Sequence, residues 1–209
     1  MSSPLTAELR THIDSMLASG RRHLLGLVGA PGSGKSTIAD ALLEAYPGQV
    51  CVVPMDGYNL ANSELARLGR ADRKGAQDTF DSAGFVALLK RLRQQAADEV
   101  VYAPEFHREI EEAIAGAIAV DPQTPLIVTE GLYLLIDHGH WAQIRGQLDE
   151  IWYVDIDDAL RQERLLARHM RYGRSREAAA AWIAHTDEPN ARLVAATKGR
   201  ADRVVLLPG

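Results

Sequence analysis

Residues 29–36, GAPGSGKS, place three glycines and a lysine directly after the apolar run LLGLV. This density of glycine costs conformational entropy, which indicates that something approaches the backbone closely here. The segment fits G-x-x-x-x-G-K-[ST], in which inward-facing backbone N–H groups and a helix N-terminus bind nucleotide phosphates. In that pattern Lys35 reaches the terminal phosphates and the Ser36 hydroxyl is a ligand of Mg²⁺. The alternative is a glycine-rich turn that only caps an ordinary helix. The residues predicted to bind ATP are Gly29, Ala30, Pro31, Gly32, Ser33, Gly34, Lys35, Ser36 and Thr37.

Two carboxylates follow apolar runs that read as strands. Asp56 comes after VCVVPM, and Glu130 ends LIVTE. Because the carboxyl ends of parallel strands face the ligand crevice, we expect both side chains to face the glycine loop. Asp56 there could take the proton of an acceptor hydroxyl or orient it for attack, although Asp-Gly is also a common turn. Glu130 is costly at a buried strand end unless it meets Mg²⁺, its water or an acceptor hydroxyl, or caps the next loop.

A run of arginines reverses the local charge of this acidic chain. Four of them recur at spacings of three, four and three residues, which places them on one helical stripe: Arg161, Arg164, Arg168 and Arg171. Arg174 and Arg176 follow a glycine. Like charges on one stripe repel, so the pattern predicts either a lid whose guanidinium groups meet phosphates or a solvated helix face. Within a lid, Arg168 and Arg174 are the favoured catalytic residues, and Gly173 is a candidate hinge.

Short apolar runs alternate with helical patterns, which predicts one α/β domain over residues 1–209 with a parallel sheet covered on both faces. Strands are predicted at residues 24–28, 50–56, 126–129, 151–155 and 203–207. Helices are predicted at residues 5–18, 35–45, 85–92, 160–170 and 177–184, the third capped by Asp81 or Ser82. The segment at about 56–120 is predicted to be an excursion over the active site, and residues 105–120 are ambiguous between helix and strand.

Composition narrows the function classes. The chain has 209 residues, a formal net charge of −5 and one cysteine. The negative charge disfavours nucleic-acid binding, and a single cysteine suits a reducing cytoplasm. We find no apolar leader and no run of the roughly 18 residues that a membrane helix needs, so no membrane partner is expected. The oligomeric state stays open, a homodimer included.

Other nucleotide-binding signatures are absent from the sequence. We find no N-K-x-D motif for guanine, no partnered D-x-x-G and no L-S-G-G signature. These absences favour a small-molecule kinase. Two alternatives stay open, a nucleotide-dependent switch or ATPase with a protein partner and a nucleoside monophosphate kinase.

Six segments in a fixed order give the chain a family resemblance over about residues 24–207. They are GAPGSGKST, VVPMDGYNL, RKGAQDTFD, YAPEFHREIEEAI, LIVTEGLYLLI and RLLARHMRYGRS. The chain resembles P-loop kinases of the uridine kinase, phosphoribulokinase and bacterial pantothenate kinase superfamily, above all a bacterial branch described as nucleoside, sugar or fructose transport system kinases. The resemblance implies a three-layer P-loop fold with five parallel strands and a central P-loop strand. It also implies transfer of the ATP γ-phosphate to a small-molecule hydroxyl, with Asp56 at the catalytic aspartate position and a lid at about 164–182.

The resemblance also suggests residues for the acceptor side. Tyr58 and Arg108 are candidates to bind the acceptor, and Arg108 could instead pair with Glu111 or Glu112. His107 stands where many relatives have an aspartate. A basic stretch after Asp56 could hold an anionic acceptor or form a solvated loop: Arg67, Arg70, Arg73 and Lys74. Weaker candidates for contact with the nucleotide base are Asn190 and Arg203.

Overall fold

Seven strands lie within residues 4–207, the part of the chain that the computed structural model describes. They are β1 (His23–Val28), β2 (Val50–Val52), β3 (Val101–His107), β4 (Glu112–Val120), β5 (Leu126–Gly131), β6 (Glu150–Asp155) and β7 (Arg203–Leu206). Five of these strands form a parallel sheet in the order β2-β5-β1-β6-β7, and β3 pairs with β4 in a separate antiparallel hairpin. The predicted five-stranded sheet with the P-loop strand at its centre is confirmed.

The central strand β1 sets the position of the site. All six of its residues are buried, as expected for a parallel strand covered on both faces. Val28 at its end lies opposite Gly131 of β5 on one side and Tyr153 of β6 on the other. The carboxyl ends of three strands therefore meet at one edge of the sheet.

Seven α-helices and one π-helical turn occur in the same described range. The helices are α1 (Ala7–Ala18), α2 (Lys35–Ala45), α3 (Asn62–Arg67), α4 (Ser82–Arg93), α5 (Asp158–Arg171), α6 (Arg176–Trp182) and α7 (Glu188–Ala195). The predicted cap of α4 is confirmed, because the Asp81 carboxylate accepts a 2.8 Å hydrogen bond from the Gly84 N–H. The predicted helix at 177–184 ends earlier, since α6 passes into the π-helical turn Ile183–Asp187. Among the residues described, we find no helix with the length and apolarity needed to cross a bilayer.

Alternate residues of β1 serve two apolar cores. Leu25 and Leu27 pack with α1 and α2 on one face of the sheet, whereas Leu24 and Val28 pack with α4 on the other. All four side chains are at most 1% exposed. Burying a side chain of this size contributes about 1.5–3 kcal/mol, so both faces hold β1 and its loop in place.

Two segments depart from the sequence-based expectations. The strand predicted at 50–56 ends at Val52, and Met55–Tyr58 forms a 3₁₀ turn after Pro54, which has no N–H to donate to the sheet. The ambiguous residues 105–120 are strand and turn, since β3 and β4 pair with Val101 opposite Val120. This hairpin packs beside the 3₁₀ turn and forms one wall above the sheet.

Candidate active site

The loop between β1 and α2 is shaped to bind an anion. Gly32 and Gly34 have φ of +81° and +94°, in the left-handed region that favours glycine. Helix α2 begins at Lys35, and Gly34 before it provides no side-chain cap for the first N–H groups. The Ser33 hydroxyl is buried and has no hydrogen-bond partner within the described range. These groups leave donors available at the helix N-terminus.

The protein's own packing also requires these glycines. A Cβ on Gly29 would clash with the Val154 carbonyl of β6, and one on Gly34 would clash with the Leu207 side chain. A Cβ on Gly32 would lie 2.8 Å from the Leu165 side chain of α5. The close approach indicated by the sequence therefore includes neighbouring elements of the fold.

Lys35 lies at the centre of a charged cluster. Its Nζ donates hydrogen bonds of 2.9 Å to the Gly29 carbonyl and 3.2 Å to the Ala30 carbonyl. Burial lowers the pKa of Lys35, and the nearby carboxylates Glu130 and Asp56 oppose that shift. In this arrangement the ammonium group is held over the loop by the loop's own carbonyl groups.

The two predicted carboxylates line the same cleft as Lys35. Asp56 lies in the 3₁₀ turn after β2, and its Oδ2 is 3.3 Å from Nη2 of Arg108. Arg108 thus pairs with Asp56, and the alternative prediction of an ion pair with Glu111 or Glu112 is wrong. Glu130 lies on β5, where burial raises the pKa of its carboxyl group and Lys35 opposes the shift. The structure therefore brings these four charged side chains together from separate segments.

The arginines of the stripe, together with Arg174, divide into two kinds of residue. Four arginines line the cleft: Arg164, Arg168, Arg171 and Arg174. Burial lowers the pKa of Arg168, and repulsion from Arg108 adds to the shift. Arg161 is 5% exposed, and its Nη2 pairs with Glu188 at 2.5 Å and with Asp158 at 2.7 Å. Arg161 is therefore satisfied by the protein, while the other four face the cleft.

Gly173 is more constrained than a free hinge. Its N–H donates to the Met170 carbonyl at 3.1 Å, and the Arg174 N–H donates to the His169 carbonyl at 3.1 Å. With Gly173 at φ +95°, these bonds form a Schellman motif that ends α5. The turn between α5 and α6 has a fixed backbone in this structure.

Some candidates lie away from the cleft. Tyr58 is not among the residues that line the cleft, because its ring packs on the Phe85 ring with centroids 5.4 Å apart. Burial raises the pKa of Tyr58 to about 12. The prediction that Tyr58 lines the acceptor pocket is therefore not supported by its placement. Arg203 pairs with Glu8 and also lies outside the cleft.

The basic stretch after Asp56 is mostly engaged in surface pairs. Arg67 pairs with Glu64, and both Arg70 and Arg73 pair with Asp78. Lys74 alone among these four basic residues lines the cleft.

Sequence reasoning missed a set of long-range contacts around the cleft. His169 Nε2 lies 2.7 Å from Asp187 Oδ2, and both side chains are largely buried. Tyr133 Oη and Asn190 Nδ2 both donate to the Gly75 carbonyl, at 2.7 and 3.3 Å. Asn190 therefore holds a loop on the acceptor side. These partners are 18 to 115 residues apart, and no local spacing signals them.

The cleft has a volume of about 1280 Å³ and is lined by residues from the glycine loop, the 3₁₀ turn, β5, the hairpin and the lid. The side chains that line the cleft include both cations and carboxylates. Such a space can hold a nucleotide and a second small molecule side by side.

Comparisons with known proteins agree with this arrangement. Residues 24–207 match the family described as "Phosphoribulokinase / Uridine kinase family". The "ATP-dependent kinase-like protein notR'" of Aspergillus versicolor is 35% identical over 163 residues, 74% of this chain and 94% of the relative. The "Putative uridine kinase C227.14" of Schizosaccharomyces pombe is 31% identical over 175 residues, 79% of this chain and 74% of the relative.

A solved structure shows the same fold over nearly the whole chain. The crystal structure of a "putative fructose transport system kinase" from Silicibacter sp. TM1040 superposes with a TM-score of 0.82 and 34% identity, covering 98% of each chain. The family match and this superposition confirm the resemblance seen in the sequence. The chain belongs to the phosphoribulokinase/uridine kinase family of P-loop kinases.

Proposed function

We propose that this kinase moves the γ-phosphate of ATP to a hydroxyl group of a small metabolite. One observation carries the proposal: Lys35, Asp56, Arg108, Glu130 and Arg168 come from five segments and share one cleft. Both signs of charge are needed there, cations for the phosphates and a carboxylate for the hydroxyl.

The loop residues fit a nucleotide. The unpartnered Ser33 hydroxyl and the uncapped first turn of α2 provide donors for phosphate oxygens. The Lys35 ammonium can exchange its loop carbonyl partners for phosphate. Ser36 and Glu130 would hold Mg²⁺, which when bound would neutralise part of the phosphate charge. Within the described chain no group of three or more His, Cys, Asp or Glu side chains could hold a metal, so its other ligands would be phosphate oxygens and water.

Asp56 is the residue that would orient the acceptor hydroxyl. Arg108 contacts only Oδ2 of this carboxylate, and Oδ1 makes no hydrogen bond with any described residue. Oδ1 can therefore accept the hydroxyl proton while Arg108 fixes the carboxylate plane. This geometry converts an encounter between two molecules into attack within one site.

The lid arginines would stabilise the phosphoryl group in transit and exclude water, which otherwise competes with the acceptor. A well-placed arginine contributes roughly 10³–10⁵ in rate in P-loop enzymes. This factor corresponds to about 4–7 kcal/mol of transition-state stabilisation. Arg168 and Arg174 are the arginines we assign to this role.

The test measures ADP release from Mg²⁺-ATP with a panel of nucleosides, vitamins and ketoses. We expect turnover to rise many-fold with one class of hydroxyl compound. Lys35→Ala should abolish that turnover, and Asp56→Asn should lower kcat while ATP still binds. Glu44→Gln, which removes an exposed carboxylate on α2, is the matched control.

Two other outcomes would redirect the assignment. A flat response across the panel favours a nucleotide switch with a protein partner. Phosphorylation of a nucleoside monophosphate, but of no hydroxyl compound, points to a nucleoside monophosphate kinase.

Full activity in Asp56→Asn would show that Asp56 only forms a turn.

A further inference from the structure

Arg174 is held in place by an aromatic side chain that no sequence motif indicated. Its guanidinium carbon lies 4.0 Å from the centroid of the Trp182 ring, and both side chains line the cleft. Contacts of this type are favourable out to about 6 Å, so this one is close. By comparison, Arg171 lies 6.0 Å from the ring of its neighbour Tyr172.

The backbone on both sides of this contact is also fixed. Arg174 follows Gly173 in the Schellman motif that ends α5, and its own N–H closes that motif. Trp182 is the last residue of α6, directly before the π-helical turn, and is half-buried. The two side chains are therefore presented to each other by two hydrogen-bonded elements.

The stacking leaves the hydrogen-bonding capacity of Arg174 unused. Within residues 4–207, its side chain makes no hydrogen bond or ion pair. A guanidinium that stacks on an aromatic face keeps its five N–H donors at its edge, in the plane of the group. Those donors can meet phosphate oxygens without breaking the contact with the indole.

We infer that Trp182 is a positioning residue, which holds Arg174 at the cleft wall so that its N–H edge meets the triphosphate of the bound nucleotide. The inference rests on the proposed function, because it takes the lid arginines as phosphate ligands. A free arginine side chain loses rotamer entropy when it binds a ligand, and stacking on an aromatic ring removes part of that loss in advance.

The experiment is a double-mutant cycle on nucleotide binding, which needs no knowledge of the acceptor. The probe is the Mg²⁺ complex of the non-hydrolysable analogue AMP-PNP, measured by calorimetry. The proteins are wild type, Trp182→Leu, Trp182→Phe, Arg174→Ala and the Arg174→Ala/Trp182→Leu double variant. Arg176→Ala is the matched control, since Arg176 is exposed at the start of α6 and lies outside the cleft.

We expect Trp182→Leu to weaken analogue binding by about three- to tenfold, as the loss of a partly desolvated cation–π contact implies. Trp182→Phe, which keeps an aromatic face, should recover most of the affinity. The double variant should bind no more weakly than Arg174→Ala alone, and Arg176→Ala should bind like wild type. A purely structural tryptophan would instead weaken binding equally in both backgrounds.

Three results would overturn the inference. The first is unchanged analogue binding in Arg174→Ala, and the second is an equal effect of Trp182→Leu with and without Arg174. The third is tighter analogue binding in Trp182→Leu, which would show that the indole holds Arg174 away from the nucleotide. These results leave the proposed phosphotransfer standing. Conversely, wild-type protein that binds the analogue but phosphorylates nothing would contradict the proposed function and not the role of Trp182.

Discussion

Replacing Arg161 should destabilise the protein, because the partners of this arginine of α5 belong to the fold. Its side chain is 5% exposed and pairs with Glu188 and Asp158. Its Nη1 also donates to the Pro31 carbonyl of the phosphate loop at 3.3 Å. Burial disfavours the charged form, but the hydrogen bonds that Arg161 donates to Glu188 and Asp158 outweigh this effect and raise the pKa of Arg161. Arg161 therefore ties α5 to α7 and to the loop.

The size of the effect follows from the exposure of the partners. Removing one member of a buried ion pair costs about 3–5 kcal/mol when the remaining charge has no other partner. Glu188 keeps 24% of its side chain exposed and Asp158 keeps 72%, so water compensates part of the loss. We expect Arg161→Met to lower the free energy of unfolding by about 2–3 kcal/mol. In a chain of this size the Tm should fall by about 4–12 °C.

The assay is urea unfolding followed by tryptophan fluorescence, with the m-value checked for constancy. Arg164→Met is the matched control. Arg164 is exposed on the same stripe one turn away, and its replacement should change the unfolding free energy by less than about 0.5 kcal/mol. Arg161→Met combined with Glu188→Gln should recover part of the stability, because the less exposed of the two carboxylates is then no longer left unpaired. If the two methionine variants unfold at the same urea concentration, Arg161 is only a solvated helix-face residue and the reasoning is refuted.

Three further predictions concern the same cleft. Gly32→Ala should lower the free energy of unfolding by about 1–3 kcal/mol, because Gly32 has φ of +81° and α5 leaves no room for a Cβ. An unchanged urea midpoint would contradict this prediction. Burial raises the pKa of Glu130 above 4.5, so the folded state holds this proton more tightly and loses stability as the pH rises past that value. The Glu130→Gln variant should therefore gain stability relative to wild type as the pH rises above 4.5, and parallel pH profiles would argue against it. Tyr133→Phe and Asn190→Ala should each lower the free energy of unfolding by about 1 kcal/mol. The double variant should lower it by more than the sum of the two single effects, because only there does the Gly75 carbonyl lose both side-chain donors.

The phosphate loop was readable from the sequence because its requirements are local. The helix predicted to begin at Lys35 does begin there, and two of the glycines have the positive φ that the loop demands. The apolar run before it is typical of a strand buried on both faces, because all of its residues are apolar or glycine. Asp56 and Glu130 followed from the rule that parallel strands present their carboxyl ends to one crevice. Their shared cleft follows from chain topology.

The hairpin was not readable because its second strand, β4, lacks a strand signal. β4 reads EAIAGAIAV, in which alanine and glycine have weak strand propensity. Its periodicity fits a helix nearly as well as a strand. Pairing with β3 across a turn at Glu111, with φ of +53°, decides the conformation, and the sequence pattern does not contain that tertiary contact.

Tyr58 shows a second limit of reading function from position. It lies two residues after Asp56 on one 3₁₀ turn, where neighbouring side chains point in different directions. The carboxylate faces the cleft, while the ring enters the apolar core beside Phe85. Proximity in sequence to a site residue therefore did not predict which of the two would reach the cleft.

The arginines of the lid show why charge pairing separates structural from functional cations. Arg161 faces the protein and has two carboxylates within 2.7 Å. Arg164, Arg168, Arg171 and Arg174 face the cleft, and none of them has a carboxylate within ion-pair distance in the part of the chain that the structure describes. For Arg168, burial and then repulsion from Arg108 lower the pKa and so disfavour the charged form. Within the described residues the ion pairs of Arg161 have no counterpart at these four arginines, which supports the proposal that phosphate groups meet this face.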